Sequence, residues 1–316
     1  MNLVNKLYNW LTGPVSISRL ANESWSFLKA ETSVRYFYYI LLYLSFINFQ
    51  WWDNVANRQN FDAIWPIFWG NGLGYETTAT VVQFLHLATA FLAAIFFRHR
   101  WARFLAFLGM SQFHALESSF GQPTHQWYLF VFVSLLFIFI PDVWKKGKEV
   151  SIGAKKNLLL VFWSAQAITF LSYSMSGLGK FLGAYYQYSI GQIHGFSPHA
   201  FAYQIADWLP KIQADPVLGS FIINHPLVGW PFYAGIHFVM FFALWAAFRP
   251  SLQKLWAFSL ILFHVGTYVT MDISFAPPII LLILLFMNSP FLRPETTVKD
   301  TVRDFPVVGW LLAKIT

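Results

Sequence analysis

Between about residues 33 and 290 the chain never leaves apolar sequence for long. Apolar runs at 34–49, 78–97, 102–120, 127–140, 158–178, 227–248, 255–271 and 275–287 are separated by short polar or basic turns. The chain is 57% hydrophobic and only 11% charged, against about 25% charged residues in an average soluble domain. No water-soluble fold hides that much apolar surface, so the chain reads as an all-α integral membrane protein. The runs predict a bundle of about eight transmembrane helices. Several fall short of the ~20 residues that cross a ~30 Å hydrocarbon core, and the last is expected to tilt or insert only in part.

Orientation follows from the basic residues. With both termini cytoplasmic, the inner segments carry Lys6, Arg19, Lys29 and Arg35; then Arg98, Arg100 and Arg103; then Lys145, Lys146, Lys148, Lys155 and Lys156; then Arg249 and Lys254; and finally Arg293, Lys299, Arg303 and Lys314. Only Arg58, Lys180 and Lys211 of the 21 basic residues fall outside, the asymmetry expected of inner loops. The net charge of +7 is thus spent on topology, and nucleic acid is not an expected partner. Residues 1–30 lack the order of a cleavable signal. Leu3, Leu7, Trp10 and Leu11 predict an interfacial amphipathic helix ended by Gly13-Pro14. Residues 31–292 form the transmembrane domain, 181–226 an outer cap, and 293–316 a cytoplasmic tail. With no cysteine, disulfides, thiol catalysis and cysteine-bound metals are excluded.

A faint repeat runs through the chain. His86 stands twelve residues before Arg98, and His237 twelve before Arg249. Each basic turn leads into a run holding Trp101 or Trp256 and reaching Phe-His at His114 or His264. A parallel repeat of two four-helix halves would have this form.

Ionisable groups within spans are costly and need a partner, a wet cavity or a task. At 1.5 Å rise per residue, His86, His114, His237 and His264 lie on the order of 15–18 Å from their inner basic anchors, near mid-membrane. Glu117, Asp272 and Lys180 lie further out, and His125 reaches the same level from the outer start of the fourth run. One outward-facing polar cavity could collect them all. The plainer alternatives are an interhelical hydrogen bond for His86 and for His237, a helix end facing water for Asp272, and a His–Glu hydrogen bond for His114 with Glu117. That last pair is also half of a metal site, though no metal is predicted. Lys180 stands in SGLGKFLGAYYQYSIG, where Gly177 and Gly179 allow close approach and Tyr173 and Tyr185 flank it. A desolvated amine can serve as a neutral base; the plainer alternative is a lysine that snorkels to headgroups.

The segment SGLGKFLGAYYQYSIG, the stretch from Thr124-His125-Gln126-Trp127 into the fourth run, and FRPSLQKLWAFSLILFHVGTYVTMDISFAPPIILLILLFMNSPF resemble the membrane domain of vitamin K-dependent gamma-carboxylases. That domain belongs to the horizontally transferred transmembrane (HTTM) family, and the resemblance spans roughly residues 30–292. It implies that Lys180 is the base that deprotonates a reduced quinone (hydroquinone), with His125 and His264 shaping the site. The chain departs from the carboxylases in having Gly179-Lys180 where they carry paired lysines, in lacking cysteine, and in ending soon after the last run. Short stand-alone members of the family help mature a secreted bacterial peptide toxin beside a small partner protein, and that length fits this chain.

Three functions follow as expectations. The first is a membrane-embedded enzyme, carboxylase-like or oxygenase-like, for quinol-linked or base-catalysed modification of a peptide or small substrate. The second is a non-enzymatic membrane partner in maturation or export of a bacterial peptide. The third is a proton-coupled transporter. The expected location is the bacterial cytoplasmic membrane.

Overall fold

The structure, a computed structural model, describes residues 17–50, 61–121, 126–144, 150–293 and 295–309. His125, Arg58, Lys145, Lys146, Lys148 and the interfacial helix expected near the N-terminus lie outside the described residues. Every regular element among the described residues is helical. Helix α1 is Ser24–Gln50, α2 Tyr75–Phe96, α3 Arg100–Ser118, α4 Tyr128–Phe137 and α5 Ile152–Ser189. They are followed by α6 Ala200–Ile212, α7 Gly219–Asn224, α8 Pro226–Phe241, α9 Ala243–Ala247, α10 Pro250–Met271, α11 Ala276–Leu282 and α12 Val298–Asp304.

Among the described residues three helices, α2, α5 and α10, are long and apolar enough to cross a membrane, and shorter apolar helices are α4, α8 and Ala276–Met287. Their surfaces are inverted relative to a soluble helix. On α2 the buried positions are the polar Gln83 and His86 and the smaller Thr78, Ala79, Val82, Ala90, Ala93 and Ala94, whereas Phe84, Leu85, Phe91 and Ile95 face outward. Small residues inside let backbones approach, and large apolar residues outside suit lipid. Gly109 of α3 shows the same logic, because a Cβ there would strike the side chain of Thr89 and crowd the His86 backbone.

The chain forms two compact units, Ile17–Ala165 and Gln166 onward, and α5 runs through the boundary. In the first unit, α1 turns Ser26, Ala30, Val34, Phe37, Tyr38, Leu41 and Ser45 inward at intervals of one to four residues, the stripe of a helix packed on one side. Phe37 stacks on Phe130 of α4 at 5.4 Å.

In the second unit a closed polar network joins α5, α10 and the turn after α11. Gln166 donates to the Leu285 carbonyl at 2.6 Å and to Ser289 at 3.1 Å. Gln253 donates to Gln166 and to the Ala247 carbonyl, and Ser289 donates back to Gln253. All three side chains are buried, and their mutual bonds remove the cost of desolvating them. The Leu285 carbonyl that Gln166 caps lies in a π-helical stretch, Ile283–Met287, where the helix has slipped out of α register.

The segment expected as an outer cap is ordered. Helix α5 runs to Ser189 rather than ending near 178, and α6 and α7 follow. Ala202, Ile205 and Leu209 of α6 pack with Ile222 of α7 and Met271 of α10. Trp208 caps the Met271 carbonyl at 2.8 Å. The C-terminal segment is docked as well. Trp245 donates to the Asp304 carbonyl, Ser251 donates to the Asp304 carboxylate, and Phe305 packs against Phe238 and Trp256.

Candidate functional site around Lys180

Three helices of the second unit meet at the Lys180 side-chain nitrogen. It projects from α5 toward the Met240 sulfur of α8, 3.6 Å away, and over the Phe263 ring of α10 at 5.4 Å. No carboxylate lies within ion-pair distance of it among the described residues. The flanking residues of the same helices are imidazoles, His237 three residues before Met240 and His264 beside Phe263.

The approach of α5 to α8 depends on Gly177. A Cβ there would lie 2.6 Å from the Phe241 amide nitrogen and 2.9 Å from the Met240 carbonyl carbon. One turn away, Ser174 donates to the Phe241 carbonyl at 3.0 Å and accepts from the Leu244 amide at 2.8 Å. The hydroxyl thus bridges the break between α8 and α9, serving backbone groups that the interrupted helix leaves unpaired. Gly179, by contrast, has nothing near its missing side chain; only Gly177 makes the close approach expected of the pair.

His264 is buried. Its Nε2 shares a 2.7 Å hydrogen bond with the Tyr173 hydroxyl, and its Nδ1 is buried with no hydrogen-bond partner among the described residues. Phe275 closes one side at 4.9 Å. His237 is tied to its own helix, its Nδ1 donating to the Tyr233 carbonyl at 2.6 Å. A carbonyl can only accept, which fixes the proton on Nδ1 and leaves Nε2 as the acceptor of the neutral ring. Phe196, in the loop before α6, packs on both His237 and Phe181, which lays an aromatic ring against the imidazole.

The structure thus brings Lys180, Tyr173, His237 and His264 together in one unit. Tyr185 and Asp272 are placed apart from this cluster, exposed to the surroundings. Asp272 ends α10 in a left-handed conformation, φ 54°, its amide donating back to Thr267 and Tyr268; this is the helix-end role that Asp tolerates.

His86, His114 and Glu117 belong to the other unit. There Ser45 donates to the Leu41 carbonyl at 2.6 Å, so its oxygen accepts from His86 Nε2 at 2.8 Å. The His86 ring stacks on Phe113 at 4.7 Å, the interhelical role that was the plainer alternative for this residue. No third His, Asp or Glu joins His114 and Glu117 in a metal-binding group among the described residues. Sequence reasoning missed Met240, Phe263, Phe196 and Ser174. The first two were within reach, one turn after His237 and next to His264.

No family model, curated protein or solved structure matches this chain.

Proposed function

We propose that this chain is a multi-pass protein of the bacterial cytoplasmic membrane, with about eight spans and both termini cytoplasmic. It belongs with the HTTM proteins and carboxylase membrane domains that its sequence resembles. It acts as an enzyme in which Lys180 is the base for quinol-linked or base-catalysed modification of a peptide or small substrate. The observation that carries this reading is the setting of Lys180, an amine against Met240 and Phe263, on helices that also carry His237 and His264, with no carboxylate within ion-pair distance among the described residues.

The residues present suit a reduced quinone. A flat ring needs aromatic walls and a few hydrogen-bonding groups at its oxygens; Phe263, Phe275 and Phe241 supply the first, and Lys180 and the unpartnered His264 Nδ1 the second. When bound, the quinol would supply the reducing equivalents of the reaction. Lys180 Nζ would accept a proton from a ring hydroxyl, and His264, held by Tyr173, would orient the ring through Nδ1. Phe196 and the cap would exclude water, which keeps a transferred proton from exchanging.

Product formation in a co-expressed system, followed by mass spectrometry of the secreted peptide, tests the reading. Lys180→Ala, in protein that still folds, abolishes product, and Lys180→Arg does not restore it because a guanidinium cannot act as a neutral base. Undiminished product with either variant refutes the assignment. The second reading, a peptide-binding partner without proton chemistry, draws on Tyr185, Tyr186 and Tyr188, which present exposed rings within the 181–226 segment. It requires that Lys180→Ala be silent and that changes to these tyrosines abolish binding.

A further inference from the structure

A cavity of about 320 Å³ opens in the first unit, at the turn between α2 and α3 and the end of α4. Arg98, His99, Arg100 and Arg103 border it on one side, and Ile138, Phe139, Ile140, Pro141 and Asp142 on the other. Three guanidiniums therefore face one carboxylate. Arg98 and Arg100 are exposed, whereas Arg103 is only 1% exposed.

Burying a guanidinium is costly unless its charge is answered. Arg103 answers part of it through carbonyls: Nη1 donates to Phe97 and Arg98 at 2.8 and 3.0 Å, and Nη2 to Ile140 at 2.6 Å. Its Nε is buried with no partner among the described residues. Two more buried polar groups of the same unit, the Tyr38 hydroxyl and the Trp144 indole nitrogen, also lack partners among the described residues. Trp144 lies under the Arg103 guanidinium at 5.5 Å. The arginines bordering the cavity are thus a donor set with more positive than negative charge.

We propose that this cavity binds a phosphate group, carried by an anionic lipid headgroup or free in solution. Arg98 and Arg100 grip it from the rim and the buried Arg103 supplies the fixed charge behind it; guanidiniums match phosphate oxygens in pairs. Two features favour the lipid source. The cavity sits just beyond the end of α2, a helix able to cross a membrane, where headgroups lie. Phe139, 57% exposed on the cavity wall, and the neighbouring Phe96, 39% exposed, offer apolar surface for acyl chains.

The test is native mass spectrometry of the full chain released from nanodiscs of phosphatidylglycerol or phosphatidylcholine, with Arg98→Gln/Arg100→Gln beside the wild type. A parallel thermal-shift titration uses inorganic phosphate. Both arginines are exposed, so the double variant should fold, which an unchanged Tm without ligand verifies. Wild type retains phosphatidylglycerol over phosphatidylcholine, and the variant loses that preference by about tenfold or more, in line with ~1 kcal/mol per basic residue near an anionic surface. Stabilisation by phosphate without a lipid preference assigns the site to the free anion. Equal retention of both lipids together with no response to phosphate, or a variant indistinguishable from wild type in both assays, overturns the proposal.

Discussion

Gly177→Ala offers a quantitative check on how the Lys180 cluster is assembled. The added methyl meets backbone, which cannot rotate away. To bring it from 2.6 Å to the 3.4 Å of an ordinary contact, α5 and α8 must separate by about 0.8 Å. The two Ser174 bonds across the helix break, at 3.0 and 2.8 Å, would then stretch beyond useful length. Overpacking costs ~1–3 kcal/mol, and the weakened bonds add ~1 kcal/mol. Greater helix propensity returns up to ~1 kcal/mol. The net expectation is a destabilisation of about 1–3 kcal/mol. Gly179→Ala makes no new contact within 4 Å, so the propensity term acts alone and the variant should be unchanged or slightly more stable. Unfolding in detergent, followed by tryptophan fluorescence, reads both. If Gly177→Ala is as stable as Gly179→Ala, the close crossing of α5 on α8 is wrong.

Gln166→Leu removes the donor to the Leu285 carbonyl and to Ser289 and the acceptor of Gln253; the stranded buried groups should cost about 1–3 kcal/mol, and an unchanged unfolding midpoint would contradict the network. At the C-terminal helix α12, Asp300 accepts from the Thr297 amide and hydroxyl, and Arg303 lies 3.2 Å away. These bonds hold its carboxyl below the usual value. A depressed folded value means the cap's contribution is complete above the unfolded value near ~4 and fades as pH falls through the folded one. Hydrogen exchange of Val298–Asp304 should therefore accelerate below pH ~4 in the wild type; Asp300→Asn should show fast exchange at neutral pH and no such acid step. Because the chain has no cysteine, single cysteines at Ser220 and Lys299, both exposed, report topology: an impermeant thiol reagent added outside intact cells should label the first and spare the second, and the reverse pattern would invert the proposed orientation.

The helical class and the positions of most helices were legible because apolar runs and basic turns are coarse signals that survive any packing detail. Boundaries failed where tertiary contacts decide them. Helix α5 runs on through Lys180 to Ser189, although polar Ser, Gly and Tyr residues end the apolar run near 178. One continuous run at 227–248 hides the break at Phe242, which exists because Ser174 of another helix binds the freed backbone groups. Docking of the C-terminal tail rests on Trp245, Ser251 and Phe305, whose partners are distant in sequence.

The candidate residues that the sequence singles out are those that are ionisable and deep. Tyr173, Lys180, His237 and His264 are polar groups in apolar sequence, and the structure gathers them. His86 carries the same signal yet serves an interhelical bond to Ser45, because depth marks cost and not purpose. The expected repeat places His86 and His114 in the first unit and His237 and His264 in the second. Arg98, Arg100 and Arg103 read as a topology signal; that Arg103 is buried beside a cavity depends on the carbonyls of Phe97, Arg98 and Ile140, which no local pattern announces.

The central claim is that Lys180 forms part of a quinol site. It is tested most directly by reconstituting wild type and Lys180→Ala in nanodiscs supplied with a reduced quinone and quantifying bound quinone by mass spectrometry after gentle isolation. The account predicts near-stoichiometric quinone in the wild type and its loss in the variant, with both proteins folded. Equal quinone in the two proteins, or none in either while lipids are retained, would contradict it.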